Sequence, residues 1–141
     1  MDRVLVAAWK MPEVDDARVI SDELAAAHAR LGRPLLYLSV IGPASIPNGE
    51  VRDQMVDFYQ SMLSHAESMH IVIEGTEFQQ SIKRSVIANV LLVVPARGRV
   101  FIENTVQAVI ASSPPGTRAE LARAAQAAAE QRLFDFAREP V

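Results

Sequence analysis

The chain has 141 residues, 50% of them hydrophobic and 22% charged, with a formal charge of -3, eight Pro, six Gly, three His and no Cys. That length and composition fit one globular domain with a real core; the acidic balance leaves no basic footprint for nucleic acid, and without cysteine there are no disulfides, thiolate nucleophiles or zinc–thiolate sites. Met1-Asp2-Arg3 leads into a short apolar segment without a signal-peptide pattern, and no apolar run approaches the roughly 20 residues of a membrane span, so a soluble, cytoplasmic protein is expected.

Val4-Leu-Val-Ala-Ala-Trp9 is a β-prone run ended by Lys10-Met11-Pro12, which predicts a buried first strand. From Val14 the apolar positions Val14, Ala17, Ile20, Leu24, Ala27 and Leu31 keep helical spacing, and Gly32 with Pro34 ends that first helix. Leu35 to Ile41 predicts a second strand, and the breaker-rich stretch Gly42 to Gly49 an exposed loop. A second helix is expected to carry Val51, Met55, Phe58, Met62, Ala66 and Met69 on one face, before Ile71-Val72-Ile73 forms a third strand.

The third helix opens around Phe78 to Ser81 and runs through Phe78, Ile82, Val86, Val90 and Val93. Val90 to Val94 would suit a strand equally by periodicity, and the absence of a breaker before Pro95 favours helix. Arg99 to Ile102 predicts the fourth strand, and Asn104 with Gln107 resembles a capping box opening a short helix through Ile110. Ser112 to Gly116 reads as a linker. Thr117 and Glu120 then form a second capping box before an alanine-rich helix from Leu121 to Arg138, with Ala122, Ala125, Ala129, Leu133 and Phe136 on one stripe.

Apolar strands alternating with helices predict an α/β fold: a mostly parallel four-stranded sheet with helices on both faces, plus the C-terminal helix. Residues 1–112 form the α/β domain, and 113–141 supply a linker and a helix that packs on that domain or on a second subunit. Ligands and partners are expected at the loops beyond the strands' carboxyl ends, Trp9 to Pro12, Gly42 to Gly49, Glu74 to Gln80 and Glu103 to Thr105.

The run Ile71-Val-Ile-Glu-Gly-Thr-Glu-Phe78, a helix opening near Ser81, and Gly98-Arg-Val-Phe-Ile-Glu-Asn-Thr-Val-Gln-Ala-Val-Ile110 together resemble STAS domains. Taken with Trp9-x-x-Pro12 and Pro34-Leu-Leu-Tyr-Leu-Ser-Val40, the chain to about Ile110 resembles the SpoIIAA-like, STAS/CRAL-TRIO-type subgroup. The resemblance implies a non-enzymatic regulatory α/β domain that binds another protein, or else a carrier or sensor of an apolar, lipid-like ligand. It also places Ser81 where STAS domains can be phosphorylated, although here the neighbours are Gln80 and Ile82, and the usual opening hairpin is lacking.

From the residues alone, no catalytic or metal-binding motif stands out, and no cofactor is expected. No phosphate-loop or nucleophile-elbow glycine pattern occurs. His28 and His65 fall off their apolar stripes and read as solvated surface, and His70 as a strand-end residue. Glu74 at the end of the third strand reads as a solvated strand cap or a partner of Arg84, more readily than as a general base. The best binding candidate is the start of the third helix, where Glu74, Thr76, Ser81, Lys83, Arg84 and Ser85 gather near unpaired N–H groups that suit an anion or a partner. A second apolar row, Ile87, Leu91 and Val94, packs under the alanine-rich tail or, together with Leu133 and Phe136, forms a homodimer contact. Met55, Met62 and Met69 read as core filler that would also suit an apolar ligand.

Overall fold

The computed structural model describes residues 3–9, 16–42, 49–94 and 98–131, with the side chains of 49–54 left aside. Within them the strands are β1 (Val4–Trp9), β2 (Leu35–Ile41), β3 (Ala66–Ile73) and β4 (Val100–Glu103). The helices are α1 (Asp16–Leu31), α2 (Gly49–Leu63), α3 (Glu77–Leu91), α4 (Val106–Ser112) and α5 (Arg118–Glu130), and a 3-10 turn at Pro115–Thr117 joins the last two. Val14, most of the Gly42 to Gly49 loop, Leu133, Phe136 and the rest of the tail to Arg138 lie outside the described residues.

All strand pairs are parallel and the order is β1-β2-β3-β4. Right-handed crossovers that step one strand at a time in one direction put every crossover helix on the same face. The two cores agree with this. Leu24 and Ala27 of α1, Tyr59 and Met62 of α2, and Ile87 and Val90 of α3 pack with Tyr37, Met69, Ile71 and Ile73 on one face. Val106 and Val109 of α4 and Leu121 and Ala125 of α5 pack with Leu36, Leu38, Val40 and Val72 on the other. Because the order never reverses, the sheet has no switch point, and the crevice that usually receives ligands in open α/β sheets is not generated.

The α/β class and the four-stranded sheet with helices on both faces are as the sequence predicts; the sheet, expected to be mostly parallel, is parallel in all its described pairs, and the corrections are local. Ala66 and Met69 belong to β3, not to α2. The bonds Ser64 N to Ser61 O (3.2 Å) and His65 N to Met62 O (3.0 Å) tighten the last turn and end the helix, although neither Gly nor Pro marks the spot. At α4 the cap lies one residue later than expected: the Thr105 hydroxyl accepts from Ala108 N at 3.0 Å, while Asn104 faces Arg84.

At α5 the Thr117 side chain makes no cap bond and donates instead to Pro114 O at 2.8 Å. Glu120 turns to Arg3, whose Nε lies 3.6 Å from Glu120 Oε1 and whose Nη1 lies 3.0 Å from Glu67 Oε2. The buried stripe of α5 is Leu121, Ala125 and Ala128, a rotation from the expected row through Ala122 and Ala129. Small side chains let this helix lie close on β1, β2 and α4 of its own chain. The Ser112 to Gly116 stretch, with Ser113 and Thr117 buried around it, is a tight corner and not an extended linker.

Candidate functional site

The start of α3 is built by its own sequence. Gly75 has φ +120, and a Cβ there would stand 2.5 Å from Gln79 Oε1. That space is used: Thr76 N donates to Gln79 Oε1 at 2.9 Å and Gln79 N donates to the Thr76 hydroxyl at 3.2 Å, a reciprocal capping box. Two of the helix's first-turn donors are thereby satisfied internally, which reduces what an anion could bond there.

The inward row of α3 begins polar and ends apolar: Gln80, Lys83, Ile87 and Val90 are buried, as is Val94 just past the helix end. Gln80 Nε2 donates to Ile73 O at 3.0 Å, holding the last carbonyl of β3. Lys83 Nζ donates to Gly42 O at 2.6 Å, just past β2. Burial lowers the Lys83 pKa and the Glu74 carboxylate acts against that shift, so half-buried Glu74 answers Lys83 and not Arg84. Arg84 instead reaches the sheet edge, donating through Nη1 to Ile102 O at 3.2 Å and through Nη2 to Asn104 Oδ1 at 2.8 Å. Since β4 pairs, among the described strands, with β3 alone, this bond occupies an edge-strand carbonyl.

The expected site residues therefore separate. Lys83 and Arg84, with Gln80, fasten α3 to the ends of three strands and Glu74 sits half-buried beside them, whereas Thr76, Ser81 and Ser85 remain exposed. The expected interface row is not an outer ridge: Ile87 and Val94 are 1% and 3% exposed, and Leu91 packs against the same core. That row lies on the α2 side of the sheet, across from α5, so it does not pack under the described part of the alanine-rich helix, Arg118–Glu130. The apolar residues that α3 shows to solvent are Phe78 at 75% and Ile82 at 42%, with Leu92 and Val93 exposed just past its end. Phe78, Ile82, Ser85, Asn89 and Leu92 follow alternating four-and-three spacing, which sets them along one outer face.

His70, expected at a strand end, is fully buried mid-strand on the α4 side. Its Nε2 lies 2.8 Å from Ser68 Oγ and its Nδ1 2.7 Å from Ser113 Oγ, and the ring stacks on Phe101. Ser113 gives its hydroxyl proton to Val109 O, so Nδ1 is the protonated nitrogen and Nε2 accepts from Ser68. Burial pulls the His70 pKa down to about 4, with Glu67 opposing weakly, and the ring is neutral at neutral pH. A serine against an imidazole has the elements of a nucleophile and base, but Ser68, His70 and Ser113 are all sealed from solvent and a substrate has no approach.

His28 and His65, expected on the surface, are half-buried and meet each other. No local spacing signals this pair. Met62 and Met69 are fully buried and Met55 packs against the same cluster, so these methionines fill the first core. Among the described residues no helix is long and apolar enough to cross a membrane, and no group of three or more His, Cys, Asp or Glu gathers. A scan against protein-family models, a search of curated proteins and a search of solved structures each find no match.

Proposed function

We propose that the chain is a non-catalytic regulatory domain of the STAS and SpoIIAA-like type, which works by binding another protein through the outer face of α3. The observation that carries this reading is the exposure of Phe78 and Ile82, one helical turn apart, on a helix otherwise pinned in place. An exposed Phe beside an exposed Ile is unfavourable in water and favourable once covered. Gln80, Lys83, Arg84 and the capping box hold the helix, so little ordering is needed when a partner docks. Ser81 is exposed between the two apolar side chains, and a phosphate there would add roughly 1.5 to 2 negative charges to the contact. Addition of that charge would switch the contact off. A second copy of the chain is one partner this face can receive, which gives the homodimer expectation a different surface from Ile87, Leu91 and Val94.

The test places a photocrosslinking phenylalanine analogue at Phe78 and, as a control, at exposed Glu23 of α1, in cells of the native host. The reading expects an adduct of defined mass from position 78, suppressed when Ile82→Asp is added. Equal yields from the two positions, or no adduct from position 78, would remove the support for an α3 interface.

A further inference from the structure

We propose that His28 and His65 form a two-histidine site for a divalent transition-metal ion of the zinc and copper class, where α1 and α2 end. The residues are 37 positions apart, yet their Nδ1 atoms stand 2.9 Å from each other, with ring centroids at 5.1 Å and planes at 70°. Both side chains are half-buried, so the rings are held by their surroundings and still reached by water.

The backbone beneath each ring is fixed. His28 sits in the last turn of α1, and its carbonyl accepts from Gly32 N at 2.9 Å. His65 follows the end of α2, its N–H bonded to Met62 O at 3.0 Å and its carbonyl accepting from Leu35 N at 3.0 Å. Both helices thus turn their negative dipole ends toward this corner, which favours a cation over an anion.

Two imidazole nitrogens on one tetrahedral ion at about 2.0–2.1 Å lie about 3.3 Å from each other, so the pair has to open by a few tenths of an ångström, and each ring has to turn by roughly 35° to aim its lone pair at the ion. In the structure one ring donates its Nδ1–H to the other ring's Nδ1. On metal binding the donating ring carries its proton on Nε2 instead, both Nδ1 lone pairs face the ion, and the proton count stays the same. With no third His, Cys, Asp or Glu gathered there among the described residues, water or a donor from another molecule completes the coordination. Such a site is exchangeable and weaker than a four-ligand structural centre. Imidazole pairs select zinc, copper and nickel and leave magnesium and calcium in solution.

The test is calorimetric titration of the full chain with zinc chloride, with magnesium chloride as the control. One equivalent of zinc is expected, with affinity at least tenfold lower in both His28→Gln and His65→Gln and no heat from magnesium. Copper-loaded wild type should show hyperfine coupling to two imidazole nitrogens in its paramagnetic resonance spectrum. Should either variant fail to fold by circular dichroism, wild-type protein decides the matter: zinc, and not magnesium, should protect His28 and His65 together from diethyl pyrocarbonate. Absence of stoichiometric zinc binding, folded variants that bind as tightly as wild type, or unprotected histidines would overturn the site. None of these results depends on what binds α3.

Discussion

His70 shows how a single residue can look catalytic and act structurally. Its two serine bonds and the stacked Phe101 satisfy a neutral imidazole, and the cost of burying a charge outweighs the pull of the Glu67 carboxylate toward the charged form. The consequence is a pH dependence of folding. Above pH 6.5, its ordinary value, neither the folded nor the unfolded chain holds a second proton on this ring. Between that value and the folded pKa of about 4 the unfolded chain takes one up and the folded chain does not, so stability falls as pH falls. The 2.5-unit difference corresponds to a loss of about 3 kcal/mol at the acid end. Urea unfolding of wild type and His70→Gln at pH 7 and pH 4.5 isolates this contribution from that of the carboxylates. The stability gap between the two proteins should shift by about 2–3 kcal/mol against wild type at the lower pH. Parallel curves would mean that His70 is not held neutral by burial.

At the scale of elements, the same short-range chemistry explains both what the sequence revealed and what it hid. Strands β1 and β2 were legible because a strand covered on both faces is an uninterrupted apolar run bounded by breakers, and Gly32 with Pro34 supplied the stop before β2. The α2 to β3 junction was not, since Ser64 and His65 carry no breaker and Ala66 and Met69 happen to continue the helical spacing past the true end. The start of α3 was half legible. Thr76 was visible as a hydroxyl near a helix start, but the box is closed by Gln79, and Lys83 and Arg84 look like free cations until the strand ends they hold are in view.

Gly75 is the hinge of that box, because its φ and the Gln79 side chain both exclude a Cβ. Gly75→Ala should therefore cost about 2 kcal/mol or more, and Gln79→Ala about 1 kcal/mol. The double variant should cost less than the sum, since removing Gln79 also removes the obstacle to the new methyl group. Strict additivity in denaturant melts would show that Gly75 and Gln79 are not coupled.

For the molecule as a whole, sequential winding is the controlling fact. Three crossovers on one face leave the other to α4 and α5, and both cores close within one chain. The row Ile87, Leu91 and Val94 looked like a surplus from sequence because a periodicity count cannot tell that α3 packs against α2 as well as the sheet. A helix with two neighbours buries a wider arc than a helix with one. The surface left over is the Phe78 and Ile82 face, and the two faces of α3 should respond oppositely to the same change. Ile87→Asp buries an unpaired charge and should cost about 4 kcal/mol or more, lowering the melting temperature equally at every protein concentration. Phe78→Asp removes a largely exposed ring and should leave the melting temperature of the isolated chain nearly unchanged, while weakening association with a partner docked on this face, as proposed above, at least tenfold. Where that partner is a second copy, light scattering should show Phe78→Asp to be monomeric at concentrations where wild type is not. An Ile87→Asp protein that dissociates without losing thermal stability would return the interface to the inner row and overturn this assignment of the faces.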